Sequence, residues 1–494
     1  MSAFRGSAQL PPPAARIHGW GLLDSTTHIE DLRNETTAGT LTRGNITIHV
    51  SFVFADLPRL SYFCVYCPTR PPKSKTPFAS APTVVSSVED TALIRVVLTT
   101  EESPQYFLYR ARGPYGGPSL NLLPDIYEYS RIEILMEPPL AFVSHDNKQF
   151  VMAALSYIHL RAVDDGKHYY LHTISSEPGA TWSKKLLEVE VPDCFTTKSA
   201  PIFPTKVIAL GHGLVGWVDL LKGIVICNVL NSAAVTKGYF VPMPNLLPRN
   251  NELYCSDPYS AWRIRDVTFS GGYIKCVEFE ELVQVRARPA PAVRDPWNMP
   301  ELHDSQLAIS PPQEEEEVYD VVGWRLITWY RGPGWTSWRR GNTVHSDDLG
   351  TVSLPQLGGG PLPLKKLKTA SPTLRGDDDV VYLMSMLHGD DQAAWIVTVD
   401  TKRKSLGEIM LSPADESSIY DPTIIPCVLS KYLDGKSGGA QPGKRNASHF
   451  PASRNLNESK KQRQAELEEH QRGAQLLLHS SAATMIPVSS AQYV

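Results

Sequence analysis

The sequence has no run of about 18 apolar residues, the length that a membrane-spanning helix needs. The segment Met1–Asp24 also lacks the continuous apolar stretch of a secretory signal peptide. The seven cysteines are an odd number scattered over 494 residues, which is not the pattern of a disulfide framework. We therefore expect a protein that is neither secreted nor membrane-bound, with reduced thiols in the cytoplasm, the nucleus or both.

The chain also lacks an excess of charge of either sign. Its formal net charge is −4 and its pI is about 6.4, so no global field draws it to nucleic acid or to anionic lipid. Hydrophobic residues make up 42% and charged residues 20%, a composition that is ordinary for a globular protein. The chain can build a core, and we expect no membrane partner and no general affinity for nucleic acid.

The sequence contains no H-E-x-x-H or Walker motif. The glycines of Gly113–Gly117 and Leu357–Gly360 have the wrong spacing for a phosphate-binding loop and indicate ordinary loops. Because catalytic groups are often assembled from distant segments, these absences do not exclude an enzyme. They leave no catalytic, cofactor-binding or metal-binding residue to assign, and we expect no cofactor.

Short runs rich in Val, Ile, Phe, Tyr and Thr recur between turn residues, as in Asn45–Ala55, Thr91–Thr99 and Lys206–Leu210. Roughly twenty such strands precede Leu433, and no helical pattern of about 12 residues or more lies among them. The clearest hairpin is Gly213–Val229, with a turn at Leu221-Lys222 and a positive φ expected at Gly223. The fold class is therefore predicted to be all-β.

Radial repetition of four-stranded blades accommodates this many strands while it protects the sheet edges. We therefore predict an irregular β-propeller-like architecture of about five to seven blades. No period of about 40 to 50 residues is visible, so two packed β domains are the alternative.

Three segments lie outside the β pattern, and they set the predicted domain boundaries. Residues 1–15 form a flexible N-terminus, and 16–433 form the β domain with a long acidic and proline-rich loop at 289–318. Residues 434–494 form a linker and one exposed helix, a disordered or helical tail. Basic pairs in this tail, Lys444-Arg445 and Lys460–Arg463, have the composition of a loose nuclear import signal.

The opening segment Gly19–Pro68 resembles the start of a plant family known as domain of unknown function 1618, which is expanded in grasses. Further segments agree in the same order, namely Ser119–Pro124, Gly216–Val229, Ile264–Phe279, Gly323–Trp329, Ala370–Tyr382, Ala394–Thr401 and Ser430–Leu433. The resemblance covers roughly residues 16–433. The family is similar to F-box-associated β-propellers, which implies such a fold, but this chain has no helical F-box module at its N-terminus.

Two kinds of residue cluster contain side chains that could form a chemical site. Cys64-Val-Tyr-Cys67 has the spacing of half a zinc site, but positions three apart on a strand point to opposite faces, which favours packing. Carboxylates occur at Asp377–Asp379, at Asp390-Asp391 beside His388, and at His345–Asp348. Their neighbours predict turns, in which Asp bonds to the local backbone.

The segment Trp324–Arg340 has the most unusual composition, with four tryptophans among arginines. Trp324, Trp329 and Trp338 are predicted to pack between sheets, whereas Trp335, in a Gly-Pro-Gly turn, is the better candidate for exposure. Aromatic and Arg residues are favoured both at protein-binding hot spots and in base stacking.

Three functions follow as hypotheses. The first is a non-enzymatic protein-interaction scaffold or adaptor with an unidentified protein partner, favoured by a large β platform with polar loops. The second is a hydrolase or lyase with a site in a propeller funnel. The third is single-stranded nucleic-acid binding through Trp335 and nearby arginines.

Overall fold

The computed structural model describes residues 20–68, 76–101, 103–113, 116–124, 139–145, 149–157, 168–177, 180–192, 202–233, 235–254, 258–285, 319–354, 361–376, 378–387, 393–413 and 424–433. These residues form 27 strands and only short helices, so the all-β prediction is confirmed. No helix in this part of the chain has the length and apolarity to cross a membrane. The predicted N-terminal segment 1–15, the loop 289–318 and the tail 434–494 lie outside the described residues.

The first two sheets are built from consecutive strands. Sheet I contains β1 (Gly21–Asp24), β2 (Ala38–Leu41), β3 (Thr47–Val53) and β4 (Leu60–Tyr66). Sheet II is an antiparallel meander of β5 (Phe78–Val88), β6 (Thr91–Leu98), β7 (Gln105–Arg110) and β8 (Ser119–Leu122). The strands predicted at Asn45–Ala55 and Thr91–Thr99 are β3 and β6.

Sheet III has eight strands in two halves. Half IIIa contains β9 (Ala141–His145), β10 (Gln149–Tyr157), β11 (His168–Ser175) and β12 (Ser183–Glu190). Half IIIb contains β13 (Lys206–Gly211), β14 (Leu214–Asp219), β15 (Gly223–Asn228) and β16 (Val235–Pro242). The halves join where β12 pairs in parallel with β16, and the two edge strands β9 and β13 also touch. The sheet is therefore nearly closed and barrel-like.

The second half of the chain adds two four-stranded antiparallel sheets. After helix α1 (Pro248–Tyr254) and a 3₁₀ turn (Pro258–Arg263), sheet IV contains β17 (Arg265–Ser270), β18 (Tyr273–Val285), β19 (Tyr319–Arg331) and β20 (Arg339–His345). Two more 3₁₀ turns (Ser346–Leu349 and Leu364–Lys366) flank a pair of short strands, β21 (Thr351–Val352) and β22 (Leu362–Pro363). Sheet V then contains β23 (Lys368–Leu374), β24 (Val380–Met386), β25 (Ala393–Asp400) and β26 (Ser405–Pro413).

The last strand closes the molecule into a ring. Strand β27 (Ile424–Cys427), followed by helix α2 (Ser430–Leu433), joins sheet I by antiparallel pairing with β1. One edge strand of each unit touches the equivalent strand of the next, in the order β5, β9, β13, β17, β23, β27 and back to β5. Sheets I, II, IIIa, IIIb, IV and V thus follow one another around a circle, which is a propeller-like arrangement.

The hydrophobic core is divided among the interfaces of this ring. Separate apolar clusters lie between sheets I and II, II and IIIa, IIIa and IIIb, IIIb and IV, IV and V, and V and I. Two packed β domains, the alternative architecture, predict a core inside each half of the chain. The clusters instead fasten each unit to both of its neighbours.

The predicted hairpin is formed by β14 and β15, which pair from Leu214–Asn228 to Asp219–Gly223. Trp217 and Val218 are fully buried, and Asp219 Oδ1 accepts hydrogen bonds from the backbone amides of Leu221 and Lys222 at 3.0 Å. The prediction for Gly223 is wrong, because its φ is not positive. Glycine is required there since a Cβ would collide with the Phe240 ring and lie 2.7 Å from the Val241 carbonyl oxygen.

Candidate interaction surface

Three of the four tryptophans in Trp324–Arg340 are packing residues, as predicted. Trp324 on β19 is 2% exposed and lies in the cluster between sheets IV and V. Trp329 and Trp338 are partly buried against the cluster between sheets IIIb and IV. The indole Nε1 of Trp338 donates a hydrogen bond to the Pro242 carbonyl oxygen at 2.6 Å, which ties sheet IV to strand β16.

Trp335 is different, because it lies in the connection between β19 and β20 at the end of sheet IV. The turn between β17 and β18 reaches the same end, where the Tyr273 ring lies 5.6 Å from the Trp335 ring at an interplanar angle of 59°. The Arg339 guanidinium covers the indole at 3.9 Å from its centroid. Trp335 is half-buried by these contacts and is thus more covered than its turn sequence predicts. Tyr273 remains 41% exposed.

Gly332 makes this arrangement possible. A Cβ at position 332 would lie 2.9 Å from Trp335 Cε2 and 3.0 Å from Tyr273 Cε1, closer than real Cβ atoms approach such neighbours. The backbone therefore passes directly beside the two rings, and both are held against a rigid sheet. We call Tyr273, Trp335, Arg339 and Arg340 the aromatic–arginine surface.

The electrostatics of this surface are positive. Arg339 and Arg340 are exposed, and Arg340 lies 6.0 Å from the centroid of the Trp329 ring while its Nη2 donates to Thr343 Oγ1 at 3.1 Å. Arg331 is 9% exposed, its Nη1 donates to the Thr336 carbonyl oxygen at 3.0 Å, and burial lowers its pKa. The sequence of residues 331–345 contains no Asp or Glu.

The described acids of the neighbouring loop, Asp378 and Asp379, make contacts of their own. Asp378 accepts a hydrogen bond from the Val380 amide at 3.2 Å and lies 3.3 Å from Arg375 Nε, as predicted for a turn residue. Asp379 accepts the phenolic hydrogen of Tyr330 at 2.8 Å, and burial raises the pKa of Tyr330 to about 12. Between sheets IV and V, Tyr330 and Asp379 line a cleft too small for more than about one water molecule. Asp377 lies outside the described residues.

The carboxylates of the His345–Asp348 cluster, which lies within the described residues, bond to nearby groups of the chain. The amide of His345 donates to Asp348 Oδ2 at 3.2 Å, and this bond lowers the pKa of Asp348. Lys404 Nζ reaches the same oxygen at 3.4 Å. His388, Asp390 and Asp391 lie outside the described residues.

The Cys64–Cys67 pair is split across sheet I. Cys67 packs with Phe63 and Val65 in the cluster toward sheet II, and Cys64 points to the other side of the strand. Both cysteines are buried and neither is in a disulfide, and burial raises the pKa of Cys64 to about 12. Among the described residues, no group of three or more His, Cys, Asp or Glu side chains is arranged to hold a metal ion.

Gly211-His-Gly-Leu-Val-Gly216 carries the G-x-G-x-x-G spacing. In nucleotide-binding folds this spacing lies between a strand and a helix, whose N-terminus receives the phosphates. Here it forms the turn between β13 and β14, and Gly211 and Gly213 have positive φ of 85° and 81°. A second strand follows instead of a helix, so the spacing reflects hairpin geometry.

A buried ion-pair network between sheets IIIb and IV was missed by sequence reasoning. Arg265 and Glu278 are fully buried and paired at 2.7 Å, and Arg265 also donates to the carbonyl oxygens of Leu220 and Pro244. The other Glu278 oxygen accepts from Asn250 Nδ2 at 2.8 Å and from the Leu247 amide at 2.8 Å. The available signal was the charged pair Arg265-Asp266 and the charged residues Glu278 and Glu280 within apolar strand segments, since charges on the buried faces of strands require partners.

The carboxylates of Glu280 and Asp266 extend this network, and both oxygens of each accept hydrogen bonds. Glu280 accepts from the Arg249 amide at 3.0 Å and from Arg325 Nε at 2.5 Å. Asp266 accepts from Lys206, from its neighbour Val267 and from Leu374. Each of these carboxylates therefore links neighbouring elements through donors on both of its oxygens.

One part of the chain matches a known protein family. The model of the family described as "Protein of unknown function (DUF1618)" matches residues 217–382, about a third of the chain. The chain is similar to this family across that region. The match runs from β14 to β24 and includes both the aromatic–arginine surface and the buried Arg265–Glu278 pair. No curated protein matches the chain.

Proposed function

We propose that this chain is a non-enzymatic protein-interaction scaffold that binds a partner protein through the aromatic–arginine surface. The observation that carries the proposal is the Arg339 guanidinium held 3.9 Å from the centroid of Trp335, beside a Tyr273 ring that is 41% exposed. Tyr, Trp and Arg are the residue types that dominate binding hot spots. Side chains that are already ordered lose little conformational entropy on binding, which favours affinity.

The same observations argue against the two other hypotheses. A hydrolase or lyase needs convergent acids or histidines facing a cavity, but Asp266, Glu278 and Glu280 are engaged by N–H donors on both of their oxygens. Single-strand binding uses several open aromatic faces in succession, but Arg339 covers Trp335 and Arg340 lies above Trp329, which leaves Tyr273 as the exposed ring of the aromatic–arginine surface.

We also propose a reducing compartment, the cytoplasm or the nucleus, as the place of action. None of the five cysteines in the described part of the chain is in a disulfide, which supports this assignment. The ordered resemblance of further segments supports an origin in the grass-expanded plant family, and the propeller-like ring supports kinship with F-box-associated β-propellers.

The proposal is tested by affinity purification of the full chain from its source tissue. Wild type, Trp335→Ala and Arg59→Ala are compared at equal expression. Arg59 is an exposed arginine in the turn between β3 and β4, so its variant controls for loss of a surface charge. We expect the same partner with wild type and Arg59→Ala and a loss of about tenfold or more with Trp335→Ala, as for a hot-spot residue. Recovery of no reproducible partner, or of the same partners with all three proteins, contradicts the proposal.

A further inference from the structure

We infer that the partner presents an acidic polypeptide segment whose Asp or Glu carboxylates bind the guanidinium groups of Arg339 and Arg340. This inference rests on the proposed function, since it names the chemistry of the partner at the same surface. It is carried by the local charge, by the fixed position of the two arginines and by their place on an edge strand.

The positive charge of the surface is local. The chain as a whole carries −4, yet residues 331–345 contain Arg331, Arg339 and Arg340 and no acid. The nearby carboxylates of Asp378 and Asp379 are engaged by Arg375 and Tyr330. An acidic segment therefore meets exposed arginines here and no competing carboxylate from residues 331–345.

The two guanidinium groups are positioned before a partner arrives. Arg339 is stacked on Trp335, and Arg340 is placed by the Trp329 ring and by its hydrogen bond to Thr343. A guanidinium binds a carboxylate through two parallel N–H donors, and stacking on an aromatic ring leaves its in-plane N–H groups free for that contact. A carboxylate bond formed there costs little additional ordering of the arginine.

The geometry of strand β20 favours an extended conformation for the partner's acidic segment. Strand β20 is the edge strand of sheet IV, and successive residues on a strand point to opposite faces. An extended peptide lying along this edge reaches Arg339 with a side chain on one face and Arg340 with a side chain on the other. Exposed Tyr273 offers apolar contact beside the Arg339 position.

A single-stranded nucleic acid is the competing polyanion, and the observations favour it less. Stacking provides much of the sequence-tolerant affinity for single strands. Trp335 and Trp329 are already in contact with guanidinium groups, and Trp324 is buried. What remains is the exposed Tyr273 ring beside a pair of exposed arginines, which matches a short acidic peptide better than a succession of stacked bases on a continuous phosphate backbone.

The test is fluorescence anisotropy with the full chain and three labelled probes. The probes are an extended peptide of adjacent Glu pairs separated by Thr pairs, the same peptide with Gln in place of Glu, and an oligothymidine. We expect the Glu peptide to bind, the Gln peptide to bind about tenfold or more weakly, and affinity for the Glu peptide to fall with added salt. Arg339→Gln should weaken binding of the Glu peptide about tenfold, Arg339→Lys less, and Arg59→Gln not measurably.

The outcomes separate the inference from the proposed function. Equal binding of the Glu and Gln peptides, or tighter binding of the oligothymidine, overturns the inference. If the native partner is lost with Trp335→Ala but the Glu peptide fails to bind, the acidic partner is ruled out and the scaffold stands. Arg339 is exposed, so Arg339→Gln should fold, and its circular-dichroism melt is compared with that of wild type.

Discussion

Lys206 Nζ lies 2.5 Å from Asp266 Oδ1, and this ion pair joins β13 to β17 at the start of both strands. The other oxygen of Asp266 accepts the Leu374 amide of β23 at 2.8 Å. One carboxylate therefore fastens three consecutive units of the ring, sheets IIIb, IV and V. The side chain of Asp266 is only 6% exposed, so the loss of this group leaves buried donors without an acceptor.

Asp266→Asn should lower the free energy of unfolding by about 3 kcal/mol or more, because it leaves Lys206 and a backbone amide facing an amide that is a poorer acceptor. Lys206→Met should cost less, since Asp266 keeps its two amide donors. Urea denaturation monitored by tryptophan fluorescence measures both. Lys237→Met is the control, because Lys237 is 71% exposed and 3.9 Å from Glu190, and it should change stability by less than about 1 kcal/mol.

Trp217→Ala should lower the stability of the fold by about 3 to 5 kcal/mol, the range for removal of a large buried aromatic side chain. Trp217 is fully buried in the cluster between sheets IIIa and IIIb. Trp335→Ala is the matched control, since it removes the same side chain from a half-buried surface position. A thermal melt that shifts equally for both variants contradicts the assignment of Trp217 to the core.

Gly223→Ala should destabilise the β14–β15 hairpin by about 1 to 3 kcal/mol, because the new methyl group collides with the Phe240 ring. Gly117→Ala is the control, as no atom lies within 4 Å of a Cβ there. Chemical denaturation of both variants gives the comparison. An unchanged midpoint for Gly223→Ala means that Phe240 moves aside freely.

Stability should fall as the pH drops below about 6.5, in part through His172. Burial, assisted by Lys184, lowers the pKa of His172 from 6.5 to about 4 in the folded chain. The unfolded chain therefore binds the proton first, so the stabilisation is complete above pH 6.5 and is lost progressively as the pH falls toward 4. His172→Gln should flatten the pH dependence of the unfolding midpoint in this window. His212→Asn, at an exposed turn position, should leave it unchanged.

Two truncations should show that the fold depends on β27 but not on the residues after Leu433. A chain ending at Leu433 keeps β27 and helix α2, and its melting midpoint should shift by no more than a few degrees. A chain ending at residue 423 loses the strand that pairs with β1 and touches both β5 and β23. It should melt much earlier or become insoluble. Circular-dichroism melts and the yield of soluble protein measure both effects. A large drop in the melting midpoint or the soluble yield of the chain that ends at Leu433 would mean that residues after 433 pack on the ring.

The sequence predicts the strands of this fold better than the contacts between them. The apolar runs around β14 and β15 predict both strands and the burial of Trp217, because the signal lies within a few neighbouring residues. The partners of Asp266 lie 60 and 108 residues away along the chain, and nothing local specifies them. The need for glycine at position 223 is likewise not specified locally, since the Phe240 ring that a Cβ would meet belongs to a different strand.

For the aromatic–arginine surface too, the sequence predicts which residues matter better than it predicts their contacts. The composition of Trp324–Arg340 singles out the segment, and its spacing separates the packing tryptophans from Trp335. The contact with Tyr273 arises from the pairing of β18 with β19 across the long connection between them. The cover that Arg339 provides depends on side-chain orientation, which a linear pattern does not specify.

The pairing of β1 with β27 also constrains the order of events during synthesis. Ile424 leaves the ribosome about 400 residues after Gly21, a delay of roughly 20 to 80 s at ~5–20 residues per second. Until then β1 has only β4 beside it, and the first and last units of the ring present open edges. Unpaired strand edges attract other chains, so a nascent chain stalled before residue 424 is the species most exposed to aggregation and to capture by chaperones.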